Sequence, residues 1–158
     1  MAACLQILDY IRRRLLGKAP QIANRVFIAY GHSKDWKVLA NMLQTWGLDV
    51  EHFNIESTAG KHVAERWEQM LNRSRFAFAV MTPDETMKNG RKRVRQNVIH
   101  EIGLCHARLG VRNTAILITR DTEEFSNVKG IEHIPFVAGK LRDQSKEIER
   151  LLRERGIL

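Results

Sequence analysis

The sequence predicts an α/β domain, a flavodoxin-like doubly wound parallel sheet of about five strands, and two observations predict it. Short apolar runs without polar alternation, of which Phe76-Ala77-Phe78-Ala79-Val80-Met81 is the fullest, read as strands buried on both faces. Between them lie segments with apolar residues three and four apart, which read as amphipathic helices. Strands of this kind alternating with helices make a parallel sheet covered on both sides through right-handed crossovers.

Taken in order, residues 3–16 carry Cys4, Ile7, Leu8, Ile11 and Leu15 on one helical stripe, closed by Gly17 and Pro20. They form an appendage over residues 1–20, ahead of a main domain at 25–158. Arg25 to Tyr30 is the first strand, ended by Gly31. Residues 34–46 form a helix with Trp36, Leu39, Met42, Leu43 and Trp46, stopped by Gly47. Leu48 to Phe53 is the second strand, and a helix over about 60–73 follows, with Val63, Trp67, Met70 and Leu71 on one face. The third strand, Phe76 to Met81, leads into a polar loop from Thr82 to about Arg93. A helix to about Leu109, a strand at Thr114–Ile118, a short Ile134-Pro135-Phe136 segment and a charged C-terminal helix complete the chain.

The chain has 158 residues, 44% hydrophobic and 28% charged, enough for one domain with its own core and no disulfide or metal staple. Cys4 and Cys105 read as free thiols in a reducing compartment, which predicts a cytoplasmic protein. Asp9 and Arg12-Arg13-Arg14 interrupt the N-terminal apolar residues, so neither a signal peptide nor a membrane span is expected. The net charge of +8 is spread, with clusters at Arg12–Arg14 and Arg91–Arg95. It suits a small anionic ligand, an acidic partner or plain solubility better than nucleic acid as the primary ligand. Metal is not expected either, since His100 and His106, the closest histidine pair, point about 240° apart on a helix.

In doubly wound folds ligands bind outside the carboxyl ends of the strands, which selects the loops after Tyr30, Phe53, Met81 and Ile118. After the first strand, Gly31 permits a sharp turn and a close backbone approach, and Ser33 is placed to cap the following helix. After the second, Glu56-Ser57-Thr58-Ala59-Gly60-Lys61 enters a helix and can hold an anion or simply cap it. After the third, the acids of Thr82-Pro83-Asp84-Glu85 can bond ribose hydroxyls or favour a helix start. Neither GxGxxG nor a Walker A pattern occurs.

The fourth helix is the most informative. Its apolar face is Val98, Ile102, Cys105 and Leu109, and Glu101 falls about 60° from the centre of that stripe, along one edge with Asn97 and Arg108. A carboxylate half inside an apolar face is costly without a partner. Periodicity leaves two readings: a salt bridge to Arg95 or Arg108, or a carboxylate aimed into the cleft. Cys105 faces the core and reads as packing.

Together the motifs resemble the TIR-like predicted nucleotide-binding family, a bacterial branch of the Toll/interleukin-1 receptor fold. The residues that carry the resemblance are Val26 to His32, Thr82 to Glu85, Arg95 to Val98 with Glu101-Ile102-Gly103, Leu109-Gly110, and Ser126 to Gly130 followed by Ile134-Pro135, spanning about 25–155. Ser33 stands where the family often has an acid, and Phe125-Ser126-Asn127 where it often has Pro-Ser-Asp. The resemblance implies an NAD glycohydrolase, often the effector of an anti-phage system, with NAD as substrate and no cofactor. It implies Glu101 as the catalytic carboxylate, tipping the balance between the two readings. It also implies substrate contacts from Tyr30, Gly31, His32, Ser33, Gly60, Lys61, Thr82, Asp84, Arg95 and Asn97. Gly60 and Lys61 lie on the loop that in TIR domains gates the site and touches a neighbouring protomer. Activation by TIR–TIR self-association is implied too. A chain of this length leaves a sensor to another protein or to a longer chain of which this is a piece. Two rivals remain: a non-catalytic scaffolding or nucleotide-binding module, and a transferase like the nucleoside deoxyribosyltransferases, which share the layout and a catalytic glutamate.

Overall fold

Alternation along β1 (Arg25–Tyr30) shows how one strand serves two cores. Val26 and Ile28 point to one face of the sheet, and Phe27 and Ala29 to the other. The same division runs through β3 (Phe76–Met81) and β6 (Thr114–Thr119), both buried along their whole length. Their apolar runs therefore show no polar alternation, because neither face meets water. The computed structural model describes residues 24–53, 63–86, 90, 92–122 and 130–158. The N-terminal helix expected at 3–16, together with Gly60 and Lys61, lies outside the described residues.

The main sheet is parallel, in the order β2-β1-β3-β6-β7, with β2 at Asp49–His52 and β7 at Glu132–Phe136. This is the doubly wound arrangement expected from the sequence, and the order reverses between β1 and β3. The short Ile134-Pro135-Phe136 segment proves to belong to a fifth strand. Its Pro135 is tolerated because β7 is an edge strand, paired among the described residues only with β6. The polar stretch after Thr82 holds a two-stranded hairpin, β4 (Glu85–Thr86) with β5 (Lys92–Arg93), joined by an Arg93 to Glu85 ion pair at 3.0 Å.

Among the described residues, two α-helices cover each face of the sheet. On one, α1 (Asp35–Thr45) contributes Leu39, Met42 and Leu43, and α4 (Ser145–Glu154) contributes Ile148, Leu151 and Leu152. On the other, α2 (Val63–Asn72) contributes Trp67, Met70 and Leu71, and α3 (Gln96–Leu109) contributes Val98, Ile102 and Cys105. Burial of these side chains at about 25 cal/mol per Å² of apolar surface is what holds the helices to the sheet. Exposed ion pairs such as Arg153 with Glu149 on α4 add only tenths of a kcal/mol each. No helix among the described residues is long and apolar enough to cross a membrane.

Candidate functional site

The strand order reverses beside Gly31, and there the chain closes one of its own sites. Asp84, two residues beyond Thr82, turns its carboxylate back across the gap between β1 and β3. Its Oδ2 accepts the amide of His32 at 2.8 Å, and its Oδ1 accepts the Thr82 hydroxyl at 2.7 Å. A Cβ at position 31 would lie 1.7 Å from Oδ2, so only glycine leaves room for this contact. The loop after β1 does present an amide to an anion, and the anion is Asp84.

Ser33 does not sit at the helix N-cap, which is Lys34. Its hydroxyl instead accepts the Asp35 amide at 3.1 Å and donates to Asp35 Oδ2 at 2.7 Å. Asp35 is buried at the first turn of α1 and also accepts the Gly139 amide at 3.1 Å. Buried carboxylates persist when hydrogen-bonded in this way. The Ser33 hydroxyl is thus engaged by Asp35, the first residue of α1.

Tyr30 ends β1 with its ring stacked on Trp36, centroids 4.1 Å apart. Its hydroxyl donates to the Phe53 carbonyl at 3.2 Å and lies 3.4 Å from His52 Nδ1. Burial, and then the negative charge of Glu101, raise its pKa. Phe53 in turn stacks on Trp67, which tilts against Phe27, each pair 5.0 Å between centroids. One aromatic chain thus runs from α1 across the end of β2 to α2.

That chain ends at a cavity of about 750 Å³ between α2 and α3. Phe53, Trp67, Glu68 and Leu71 form one wall, and α3 lays Asn97, His100, Glu101, Leu104, Ala107 and Arg108 along the other. These α3 positions recur three and four apart, so they form a single stripe along the helix. Its edge is the one on which the sequence places Asn97, Glu101 and Arg108.

Glu101 is half-buried among Val98, Ile102 and Cys105, whose side chains are fully covered. Burial pushes its carboxyl up to about 7, opposed in part by the positive charge of Arg95. The salt bridge offered as one explanation of Glu101 is not formed with Arg108. That guanidinium donates to Asn72 Oδ1 and lies 3.9 Å from Glu68, both on α2. Arg95 sits at the N-cap of α3 and acts on Glu101 through space. A carboxylate left without an ion pair among the described residues, in an apolar wall and open to a cavity, is the arrangement expected of a working group. Cys105 is buried, with its thiol pushed up to about 12 by burial, and packs in the core.

Of the other residues expected to contact substrate, Asn97 lines the cavity, while Tyr30, Gly31, His32, Ser33, Thr82 and Asp84 do not line it and are held in contacts at the carboxyl ends of β1 and β3. Sequence reasoning missed Phe53, Trp67 and Leu71 as a cavity wall. The four-residue spacing of Trp67 and Leu71 announced an apolar helix face, but not that part of it faces a gap. His100 was passed over because it was weighed only as a metal ligand. No group of three or more potential metal-ligating side chains occurs among the described residues.

Residues 25–138 match the family described as CAP12/Pycsar effector protein, TIR domain. An uncharacterized protein, YuaY, of Escherichia coli (strain K12) is 27% identical over 116 residues, covering 70% of this chain and 39% of its own length. The Pycsar effector protein PaPycTIR of Pseudomonas aeruginosa is 36% identical over 91 residues, covering 54% of this chain and 30% of its own. The chain thus spans only 39% and 30% of the length of these two curated relatives. A crystal structure of a prokaryotic SEFIR domain aligns with 81% of this chain and 91% of that one, at 17% identity and a TM-score of 0.44. The family match runs from the first residue of β1 to just past β7 and so takes in the whole parallel sheet and the cavity helices: the chain belongs to the TIR-domain family of CAP12/Pycsar effector proteins.

Proposed function

We propose that this domain is an NAD glycohydrolase, the effector part of an anti-phage defence system, cleaving the bond between nicotinamide and ribose. The observation that carries the reading is Glu101: a carboxyl with a pKa of about 7, unpaired by any cation among the described residues, opening onto a cavity of about 750 Å³. That volume lies within the range of small-molecule sites.

The chemistry asks little of the protein. The nicotinamide ring nitrogen is cationic, so the C1′–N bond breaks with its electron pair moving onto nicotinamide, which leaves neutral. The ribosyl group passes through an oxocarbenium-like state, as in glycoside hydrolysis. A carboxylate in an apolar wall stabilises that positive charge far more strongly than one in water. Water then adds to C1′ and gives up a proton. Glu101, with a pKa close to neutrality, suits the role of acceptor. The balance is NAD and water to ADP-ribose, nicotinamide and a proton. Asn97, one turn before Glu101 on the same wall, is placed to orient the ribose hydroxyls, and Arg95 keeps part of the Glu101 population ionised. TIR–TIR self-association, with a signal arriving from another protein, belongs to the same proposal.

The test is product analysis after incubating the concentrated protein with NAD. Release of nicotinamide with ADP-ribose, linear or cyclic, is the expected result. Intact NAD under conditions where the protein self-associates overturns it in favour of a scaffolding module. Base exchange with a deoxynucleoside would instead point to a transferase.

A further inference from the structure

The wall that α3 presents to the cavity has an electrical polarity. Glu101 stands toward one end and Arg108 at the other, seven residues on, which is about 10 Å along a helix axis. Between them the wall is Leu104 and Ala107, faced by Trp67, Leu71 and the half-exposed Glu68. Among the described residues lining the cavity, Arg108 is the one permanent cation. Its own pairing is weak. Glu68 is 3.9 Å away, and both side chains are at least half exposed, so this ion pair is screened by solvent. One donor is taken by Asn72, and a guanidinium carries five in a fixed fork suited to phosphate oxygens.

We infer that Arg108 is the diphosphate-binding residue of this cavity, so that a dinucleotide lies along α3 with its ribosyl–nicotinamide end at Glu101 and its phosphates at Arg108. The inference rests on the reading of the cavity as an NAD site and adds the direction in which the substrate lies. Charge decides that direction. In the proposed orientation the cationic nicotinamide faces the Glu101 carboxylate and the diphosphate faces the guanidinium. The opposite orientation sets two negative phosphates against Glu101 in an apolar wall, where like charges repel most strongly. The separation also suits a dinucleotide, whose diphosphate begins several ångströms beyond the C1′ atom. A bare nucleoside bound at Glu101 does not reach Arg108.

Equilibrium binding of ADP-ribose and of adenosine, measured by calorimetry on the whole chain, tests the inference without requiring turnover. Wild type binds ADP-ribose more tightly than adenosine. Arg108→Gln weakens ADP-ribose about 10- to 100-fold, the usual loss for a charge-assisted hydrogen bond. The same change leaves adenosine and the melting temperature unaltered, and Arg108→Lys recovers part of the loss. Equal affinities of wild type for the two ligands overturn the inference, as does wild-type ADP-ribose affinity in Arg108→Gln. A loss confined to Lys61→Ala overturns it too, since the phosphates would then be held by Lys61. Binding that depends on Arg108 without any nicotinamide release sinks the glycohydrolase reading and leaves the inference standing. Nicotinamide release that is indifferent to Arg108 does the reverse.

Discussion

Asp84 and His32 meet across 52 residues of chain, the Asp84 carboxylate accepting the His32 amide at 2.8 Å over the point where the strand order reverses. The contact passes through the space that a side chain at position 31 would fill. Gly31→Ala therefore displaces Asp84 and with it the bonds from His32 and Thr82. A loss of about 2 kcal/mol is expected, from charge-assisted hydrogen bonds worth about 1.5–3 kcal/mol. Asp84→Ala costs a similar amount, and the double variant costs much less than the sum, because both changes remove one interaction. Urea denaturation of the three variants measures this coupling.

Glu101 gives the fold a pH dependence of predictable sign. Its pKa is raised in the folded state, to about 7, so the stability tied to its protonated form is complete below about 4.5 and is lost as pH rises through 7. Glu101→Gln removes that loss. The variant should match wild type near pH 4 and exceed it by about 3 kcal/mol at pH 8, as expected for a shift of this size. Melting curves of both proteins across this range test it. A wild type as stable as the variant at pH 8 would show that Glu101 has a partner.

Asp35 joins the start of α1 to the turn after β7 through the Gly139 amide. Its carboxylate is buried and also bound by Ser33. Asp35→Ala leaves those donors unsatisfied and should cost about 2–3 kcal/mol. Ser33→Ala, which spares the Gly139 contact, should cost about 1 kcal/mol. Chemical denaturation at neutral pH ranks the two.

Tyr30→Phe removes the hydroxyl that holds the Phe53 carbonyl, while keeping the stack on Trp36. The expected loss of stability is about 1 kcal/mol. Because Phe53 packs on Trp67 in the cavity wall, KM for NAD should rise several-fold with kcat less affected. A kcat effect alone would place Tyr30 at the reacting atoms.

The sheet was legible because its central strands are buried on both faces, and burial leaves a mark in composition: no polar residue interrupts Phe76 to Met81. The α3 stripe was legible for the same reason, since Val98, Ile102 and Cys105 recur at helical spacing. What sequence could not show was which cation Glu101 meets. Arg108 lies at a favourable distance along the helix, yet it turns to Asn72 and Glu68 on a different element, and periodicity within one helix carries no information about its neighbour. The role of Asp84 was hidden likewise. Its acid reads from sequence as bonding ribose hydroxyls or favouring a helix start, because nothing local shows that His32, 52 residues earlier, supplies a donor. The fifth strand was only half visible, because Pro135 interrupts a run that is short even in the fold.

The central claim is that Glu101 performs the chemistry, and nicotinamide release from NAD by wild type and by Glu101→Ala tests it most directly. Wild type should release nicotinamide, with a rate that climbs with pH and levels off above about 7, as the carboxylate ionises. Glu101→Ala should remain folded and lose at least about 100-fold in rate, the scale on which a single electrostatic stabiliser acts. A folded Glu101→Ala protein that cleaves NAD at the wild-type rate would contradict the account.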